Sequence, residues 1–230
     1  MQIAVFLENC YHFTIQIKYN LIENAQTMST KDISVGNPQG KASIAVLNDL
    51  HIFKPINIKK KEAPQWLTDY FTSLLVLSSK FSFKPIINKE YYLYFDSSDW
   101  RLSLIEPQSW KDCPYLFFAA CYMHEDKSWS IAPIDNWEKN IYLSERINEM
   151  KHEFFKSINN NIPIIDTLPY HAGHLPYYQR LAANALAKSL KQSLALSLGI
   201  EQSKNTCGKN LLEKFKNANN STSGLLNQTK

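Results

Sequence analysis

The chain has 230 residues, of which 44% are hydrophobic and 20% are charged. This length and composition are typical of one globular domain with a sizeable core, and they exclude a chain that is disordered or fibrous throughout. The formal net charge is +4, and residues 200–230 contribute +3 of it through five lysines and two glutamates. Positive charge concentrated in one terminal segment does not provide the basic face on which a nucleic-acid-binding domain depends.

The cysteine pattern and the hydropathy indicate a cytoplasmic location and no membrane insertion. The four cysteines form no CxxC pair, which excludes a zinc ribbon and a thioredoxin-type redox motif; they are Cys10, Cys113, Cys121 and Cys207. Free thiols are typical of a reducing cytoplasm. The N-terminal string MQIAVFLENCYHF lacks the basic start and the small-residue cleavage site of a signal peptide. No apolar run reaches the roughly 20 residues that a membrane-spanning helix needs.

Three regions are predicted along the chain. Residues 1–27 look detached from the rest of the sequence, and Met28 offers a second plausible start, so we interpret residues 1–27 as an over-extended, non-native N-terminus. Residues 28–199 are predicted to form a single domain. Residues 200–230 are polar and contain lysine, which predicts a disordered tail with at most a short helix over Leu211–Phe215.

Two helices are predicted before the first strand. Residues 42–53 suit a short helix that ends before Pro55. A longer helix is predicted from Pro64 to about Lys80, since proline is well placed in a first helical turn. Its apolar residues recur at the three- and four-residue spacing of an amphipathic helix.

Four short aromatic or apolar runs, separated by turn-forming clusters, predict an antiparallel β-meander of three or four strands; the runs are Tyr91–Phe95, Trp100–Ile105, Leu116–Met123 and Ser128–Ala132. In the second run, apolar residues alternate with Arg101 and Ser103, which predicts one buried and one solvated face. So small a sheet needs helices on its apolar face. The predicted fold class is therefore α+β, a three- or four-stranded antiparallel meander packed against several helices.

Two further helices are predicted over Ile141–Ile158 and from Pro176 to Leu198, where Gly199 ends the second. In the second helix a leucine recurs every four residues; the four are Leu186, Leu190, Leu194 and Leu198. Such a stripe favours a core face, and the alternative is a surface for self-association.

The strings YYLY (91–94), SLIEPQSW (103–110) and DKSW (126–129) resemble a family of bacterial proteins known only as a domain of unknown function. The pattern is also similar to a distant eukaryotic protein without an assigned activity, in which it covers only the sheet and the helix before it. The bacterial resemblance extends over about residues 37–198. The matching residues are mostly fold-forming, so the resemblance implies an architecture and no activity; they are Tyr91, Tyr92, Leu93, Tyr94, Ser103, Ile105, Pro107, Trp110, Asp126, Ser128 and Trp129.

The loop before the last predicted helix is the first candidate site. His171 and His174 lie three residues apart, and Glu149 and His152 form an E-x-x-H pair on a helix. Imidazoles and carboxylates in such spacing bind metal ions, so these four residues are the candidate ligands. The aromatic neighbours Tyr170, Tyr177 and Tyr178 are candidate binding residues. The alternative is that the histidines hydrogen-bond a proline-bounded loop.

The polar face of the predicted sheet is the second candidate. Arg101 with Tyr92 or Tyr94 would suit the stacking of single-stranded bases. The basic surround for such binding is thin, so the alternative is that these aromatic residues pack under helices, with Trp110 and Trp129 at the ends of the sheet.

No nucleophile signature is present. The sequence therefore favours a non-catalytic interaction module or small adaptor, which meets a protein partner or itself and needs no cofactor. A metal- or ligand-dependent enzyme centred on His171 and His174 is the alternative, and nucleic-acid binding is the least favoured.

Overall fold

The computed structural model describes residues 41–170 and 172–218, with side chains described over 44–217 apart from residue 171. The predicted N-terminal boundary at Met28 and the candidate ligand His171 lie outside these residues. The chain divides into two compact units, residues 1–54 and 55–230. In the first unit the described element is helix α1 (Lys41–Ile52), which confirms the short helix predicted there.

The described part of the second unit contains a four-stranded sheet and five helices, so the α+β class is confirmed. The strands are β1 (Glu90–Asp96), β2 (Asp99–Ser103), β3 (Leu116–Met123) and β4 (Trp129–Pro133). The helices are α2 (Ala63–Ser78), α3 (Ile141–Ile158), α4 (Tyr177–Leu198), α5 (Ile200–Asn205) and α6 (Gly208–Ala218). In the described ranges, no helix is long and apolar enough to cross a bilayer.

Every neighbouring pair of strands is antiparallel, and the order is β2-β1-β3-β4. The order differs from that of a simple meander, because β1 lies between β2 and β3. The chain from β2 to β3, residues 104–115, therefore has to pass β1. It does so over the outer face of the sheet, where it covers the middle of β1.

The inner face of the sheet carries the core. Tyr91, Leu93, Leu102 and Cys121 alternate with outward residues and are buried. A bulge in β3 opposite Leu93 and Tyr94 turns both Phe118 and Ala119 inward. Helix α2 contacts this side of the sheet at β2 and β4, and its other side contacts α4 and α6. Among the described helices, α2 makes the extensive contacts with the sheet, and it thereby joins the sheet to α4 and α6.

Two hydroxyl groups of α2 bind the backbone of edge strand β4. Trp129 donates its backbone N–H to Ser73 Oγ at 2.8 Å, and Thr72 Oγ1 donates to the carbonyl of Trp129 at 2.6 Å. An edge strand presents unpaired backbone groups, and here a buried pair of them is satisfied by side chains of a helix.

The opposite edge is bound by the segment after α2. Lys80 donates its backbone N–H to the carbonyl of Trp100 at 2.8 Å, and its own carbonyl accepts from Leu102 N–H at 3.2 Å. One continuous stretch of chain, α2 and Lys80, therefore contacts the backbone of both edge strands.

A nearly buried ion cluster ties the start of α2 to the β3–β4 turn. Lys61 Nζ lies 2.5 Å from Asp69 Oδ2 and 2.5 Å from Asp126 Oδ2, and all three side chains are at most 13% exposed. Burial opposes the charge of Lys61, but the two carboxylates outweigh it and raise the pKa of the amine. Burial raises the pKa of Asp69. Burial acts in the same way on Asp126, yet Lys61 and the bonds from Ser128 more than offset it and lower the pKa of that carboxyl.

The C-terminal region corrects one prediction. Residues 200–218 do not form a disordered tail, because they fold into α5 and α6; residues 219–230 lie outside the described part. Leu211, Leu212 and Phe215 are buried on one side of α6. Their burial depends on contacts with α2 and α3, which are distant in sequence, so a local reading of polar composition missed it.

The leucine stripe of α4 is a core face. Leu186, Leu190 and Leu194 are at most 2% exposed, and the indole N–H of Trp66 donates to the carbonyl of Leu190 at 2.9 Å. The stripe therefore packs against the rest of its own chain.

Replacing Ser73 with alanine should lower the free energy of unfolding by about 1–3 kcal/mol, because the buried N–H of Trp129 loses its acceptor. Urea denaturation measures the change. Ser78→Ala on the same helix is the matched control, since the Ser78 hydroxyl bonds only within the helix, to Leu75. Equal effects of the two substitutions would contradict the role given to Ser73.

Replacing Lys61 with methionine should lower the free energy of unfolding at pH 7 by about 3–5 kcal/mol, since two carboxylates lose their shared cation. The deficit should shrink towards pH 4. Lys61 lowers the pKa of both carboxyls, so without it the folded variant takes up protons at a higher pH than the folded unchanged protein does, and the difference in stability falls as the pH falls.

Urea denaturation of this variant at pH 7 and at pH 5 measures both effects. Lys60→Met is the matched control, because the Lys60 side chain is 62% exposed and pairs only loosely with Glu62 at 3.8 Å. It should change stability by less than about 0.5 kcal/mol. A deficit for Lys61→Met that is the same at both pH values would be inconsistent with buried, unpaired carboxylates.

Candidate functional site

The outer face of the sheet is the candidate site. The strand register places twelve side chains on it: Glu90, Tyr92, Tyr94, Asp96, Asp99, Arg101, Ser103, Phe117, Ala120, Tyr122, Ser130 and Ala132. An antiparallel sheet with helices on one side commonly leaves its other side to solvent. Here the face divides into a half that is covered by residues 104–115 and a half that is open.

The covered half is built around Tyr94. Its hydroxyl donates to the carbonyl of Ile105 at 2.9 Å, and the ring of Trp110 meets the Tyr94 ring edge to face at 6.0 Å. Trp110 donates its indole N–H to the same carbonyl at 3.4 Å. Tyr94 is 1% exposed, and burial raises its pKa to about 12. Tyr94 is therefore the buried centre of this half, and Trp110 covers it while staying partly exposed.

The guanidinium of Arg101 is part of this covered half. It lies over the ring of Tyr115, 4.8 Å from the ring centroid, and Arg101 Nη2 donates to Asp96 at 3.4 Å. The sequence predicted Arg101 as a residue for binding nucleic acid. The structure places it on the predicted face, with its planar group stacked on an aromatic ring of its own chain.

Residues of the SLIEPQSW and DKSW strings form hydrogen bonds at the end of β2 and in the β3–β4 turn. Ser103 Oγ accepts from Ile105 N–H at 3.0 Å, which orients the chain as it leaves β2. Asp126 Oδ1 accepts from both the N–H and the hydroxyl of Ser128, at 3.0 and 2.6 Å, and holds the β3–β4 turn. These contacts position the chain at the end of β2 and at the β3–β4 turn.

The open half is centred on Glu90. Tyr92 donates its hydroxyl to Glu90 Oε2 at 3.1 Å, and Tyr122, on the adjacent strand, donates to Glu90 Oε1 at 2.5 Å. Glu90 is exposed, and both tyrosines are partly exposed. Ala120 and Ala132, which are paired between β3 and β4, leave the surface beside the two rings flat.

The electrostatics of this cluster come from the carboxylate. The hydrogen bond to Glu90, together with burial, raises the pKa of Tyr122 to about 12. Burial and the same carboxylate raise the pKa of Tyr92. Both hydroxyls therefore stay protonated and keep donating to Glu90. The cluster presents one negative charge between two aromatic rings, which is a chemistry that binds organic cations.

The candidate loop at residues 170–178 is fastened to α4. The Tyr170 hydroxyl donates to the carbonyl of Ala187 at 3.4 Å, and the Tyr170 carbonyl accepts from the side-chain amide of Asn184 at 2.8 Å. Tyr177 and Tyr178 lie ring to ring at 5.2 Å. His174 is exposed, and partial desolvation lowers its pKa. A binding role for this loop stays a prediction.

The proposed metal ligands are not brought together among the described residues. Glu149 pairs with Arg146 at 3.2 Å, and His152 lies in a cleft beside Phe155. In the part of the chain that the structure describes, no three His, Cys, Asp or Glu side chains form a group that could hold a metal ion. His171 lies outside that part, so its share in a metal site stays a prediction.

Glu90 and Tyr122 are the site residues that sequence reasoning missed. The period of two in β3 places Ala120 and Tyr122 on the polar face, and this signal was present in the sequence. Their meeting with Glu90 depends on the register between β1 and β3, which pairs Glu90 with Tyr122. The strands β1 and β3 are far apart in the chain and are paired through a bulge. Their register cannot be predicted from a single sequence.

Comparison with protein-family models, with curated proteins and with solved structures finds no match for this chain. The resemblance to a bacterial family therefore stays a prediction.

Replacing Glu90 with glutamine should lower the pKa of Tyr122, because the neutral amide no longer favours the protonated hydroxyl. NMR of tyrosine labelled with ¹³C at the ring carbon that bears oxygen, titrated across the alkaline range, measures the change. Glu106→Gln is the matched control, since Glu106 acts on Tyr92 and Tyr94. An unchanged Tyr122 titration in Glu90→Gln would contradict the geometry of the cluster.

Proposed function

We propose that this protein is a non-catalytic interaction module that binds a basic segment of a protein partner on the open half of the outer sheet face. The observation that carries the proposal is the convergence of Tyr92 and Tyr122 on the exposed carboxylate of Glu90. Tyrosine gives a large contact area at a small cost in side-chain entropy. A carboxylate between two such rings favours a lysine or arginine of the partner.

The location of the cluster supports a protein partner. Ala120 and Ala132 make a shallow floor on which an extended segment fits without a deep pocket. Both edge strands contact α2 or Lys80 through their backbones, so the sheet face is a better place for a partner than strand addition at those positions.

Charge favours a protein over a nucleic acid. Asp96 pairs with Arg101 at 3.4 Å and Asp99 pairs with Lys80 at 2.6 Å. The outward strand positions of the open half carry the carboxylate of Glu90 and no cation. Phosphate-driven binding needs the opposite balance. The same balance attracts a lysine- or arginine-rich segment and repels an acidic one.

Two further parts of the proposal concern the protein family and the cellular location. We propose that the chain is related to the bacterial family that the string motifs resemble, and the fold-holding contacts of Ser103, Asp126 and Ser128 support it. We also propose a cytoplasmic location, which the free thiols of Cys113 and Cys121 support.

An NMR titration tests the binding proposal. ¹⁵N-labelled protein is titrated with a short peptide of alternating lysine and alanine. The amide signals of Tyr92, Ala120 and Tyr122 should shift with a saturable dependence on peptide concentration. Glu90→Gln should weaken binding about five-fold, as expected for the loss of one partly exposed charge pair.

Matched controls distinguish binding at this face from nonspecific electrostatic attraction to the protein. Glu145→Gln removes an exposed carboxylate of α3, and Tyr142→Ser removes a tyrosine that is 74% exposed; both should leave binding unchanged. Tyr122→Ser should weaken it. An equal response to a glutamate–alanine peptide, or shifts confined to other surfaces, would refute the proposal.

A further inference from the structure

A cleft of about 430 Å³ lies between α3 and α6, and it shares no residue with the outer sheet face. Its floor is apolar: Leu212 and Phe215 are at most 4% exposed, and Phe155 is partly buried. The rings of Phe155 and Phe215 lie 5.9 Å apart. The volume falls within the range of about 300–1,000 Å³ that is usual for small-molecule pockets.

The cleft is fixed by the way α6 begins. A Cβ at Gly208 would clash with the backbone carbonyl of Ile158, so only glycine allows this approach of α6 to the end of α3. Lys209 N–H also donates to the carbonyl of Asn160 at 3.4 Å. The two helices are thus held at their ends, and the cleft lies along the facing residues of both.

The rim of the cleft is cationic. Lys156 and Lys216 supply the positive charge at its opening, where His152 and Asn159 are also exposed. Among the described residues that line the cleft, none is acidic. Glu149, three residues before His152 on α3, pairs with Arg146 at 3.2 Å, and Glu213 lines a separate groove on the other side of α6.

We propose that this cleft binds a single-chain amphiphile with an anionic head, whose tail lies on Phe155, Leu212 and Phe215 while Lys156 and Lys216 bind the head. An apolar floor requires an apolar tail, and two lysines above it require an anionic group. The size favours a small molecule over a helical peptide. A bound helix inserts three or four anchor side chains into a long groove. The apolar floor of this cleft consists of three residues and is too short for that.

Calorimetric titration of the full chain with dodecanoate, below its micelle concentration, tests the assignment. One saturable site is expected. The double variant Lys156→Glu with Lys216→Glu should weaken it by at least about 10-fold, because two favourable charge interactions become repulsive. The matched control is Lys188→Glu with Lys191→Glu, two exposed lysines of α4 outside the cleft, which should bind as the unchanged protein does.

Dodecyltrimethylammonium, with the same tail and a cationic head, should bind at least about 10-fold more weakly than dodecanoate. Circular dichroism confirms that each variant is folded. Three results would overturn the assignment: no saturable binding of dodecanoate, equal binding of the cationic amphiphile, or the same affinity in the Lys156/Lys216 variant and its control. Binding of an acidic amphipathic peptide in place of dodecanoate would identify a protein partner and overturn it as well.

Discussion

The backbone of Trp129 holds the helical layer to the sheet. Its N–H and its carbonyl, both buried, are bound by the hydroxyls of Ser73 and Thr72 on α2. Since a buried backbone group without a partner costs roughly 1–3 kcal/mol, these two bonds favour this register between helix and strand. The Lys61 cluster fixes the start of the same helix, because a partly satisfied group of buried charges would be strongly destabilising. Other contacts of α2, with α4 and α6, depend on this placement.

Helix α2 lies on the inner side of the sheet, and this leaves the outer side to be covered by other parts of the chain. The chain between β2 and β3 has to pass β1, and it covers Tyr94 as it does so. The part of the face farther along β3 and β4 has no such cover among the described residues. Tyr92, Tyr122 and Glu90 therefore form a polar aromatic surface in which both hydroxyls donate to the one carboxylate.

The two proposed binding surfaces differ in chemistry, and that difference gives each a separate class of ligand. The sheet face combines aromatic rings with a carboxylate, which suits a basic protein segment. The cleft between α3 and α6 combines an apolar floor with lysines, which suits an anionic amphiphile. Among the described residues, neither surface contains a nucleophile paired with a base or a group of metal ligands. The two share no residue, so each can be tested by substitutions that leave the other intact.

Local pattern by itself determined the elements up to Gly199. Helix α3 begins and ends at the predicted residues, Ile141 and Ile158, and β3 spans Leu116–Met123 as predicted, because helical and strand periodicity depend only on near neighbours. Tertiary structure alone decided the strand order, the burial of Phe215 in a segment of polar composition, and the meeting of Glu90 with Tyr122. Each of these depends on contacts between residues far apart in the chain, whose register and packing no local pattern encodes.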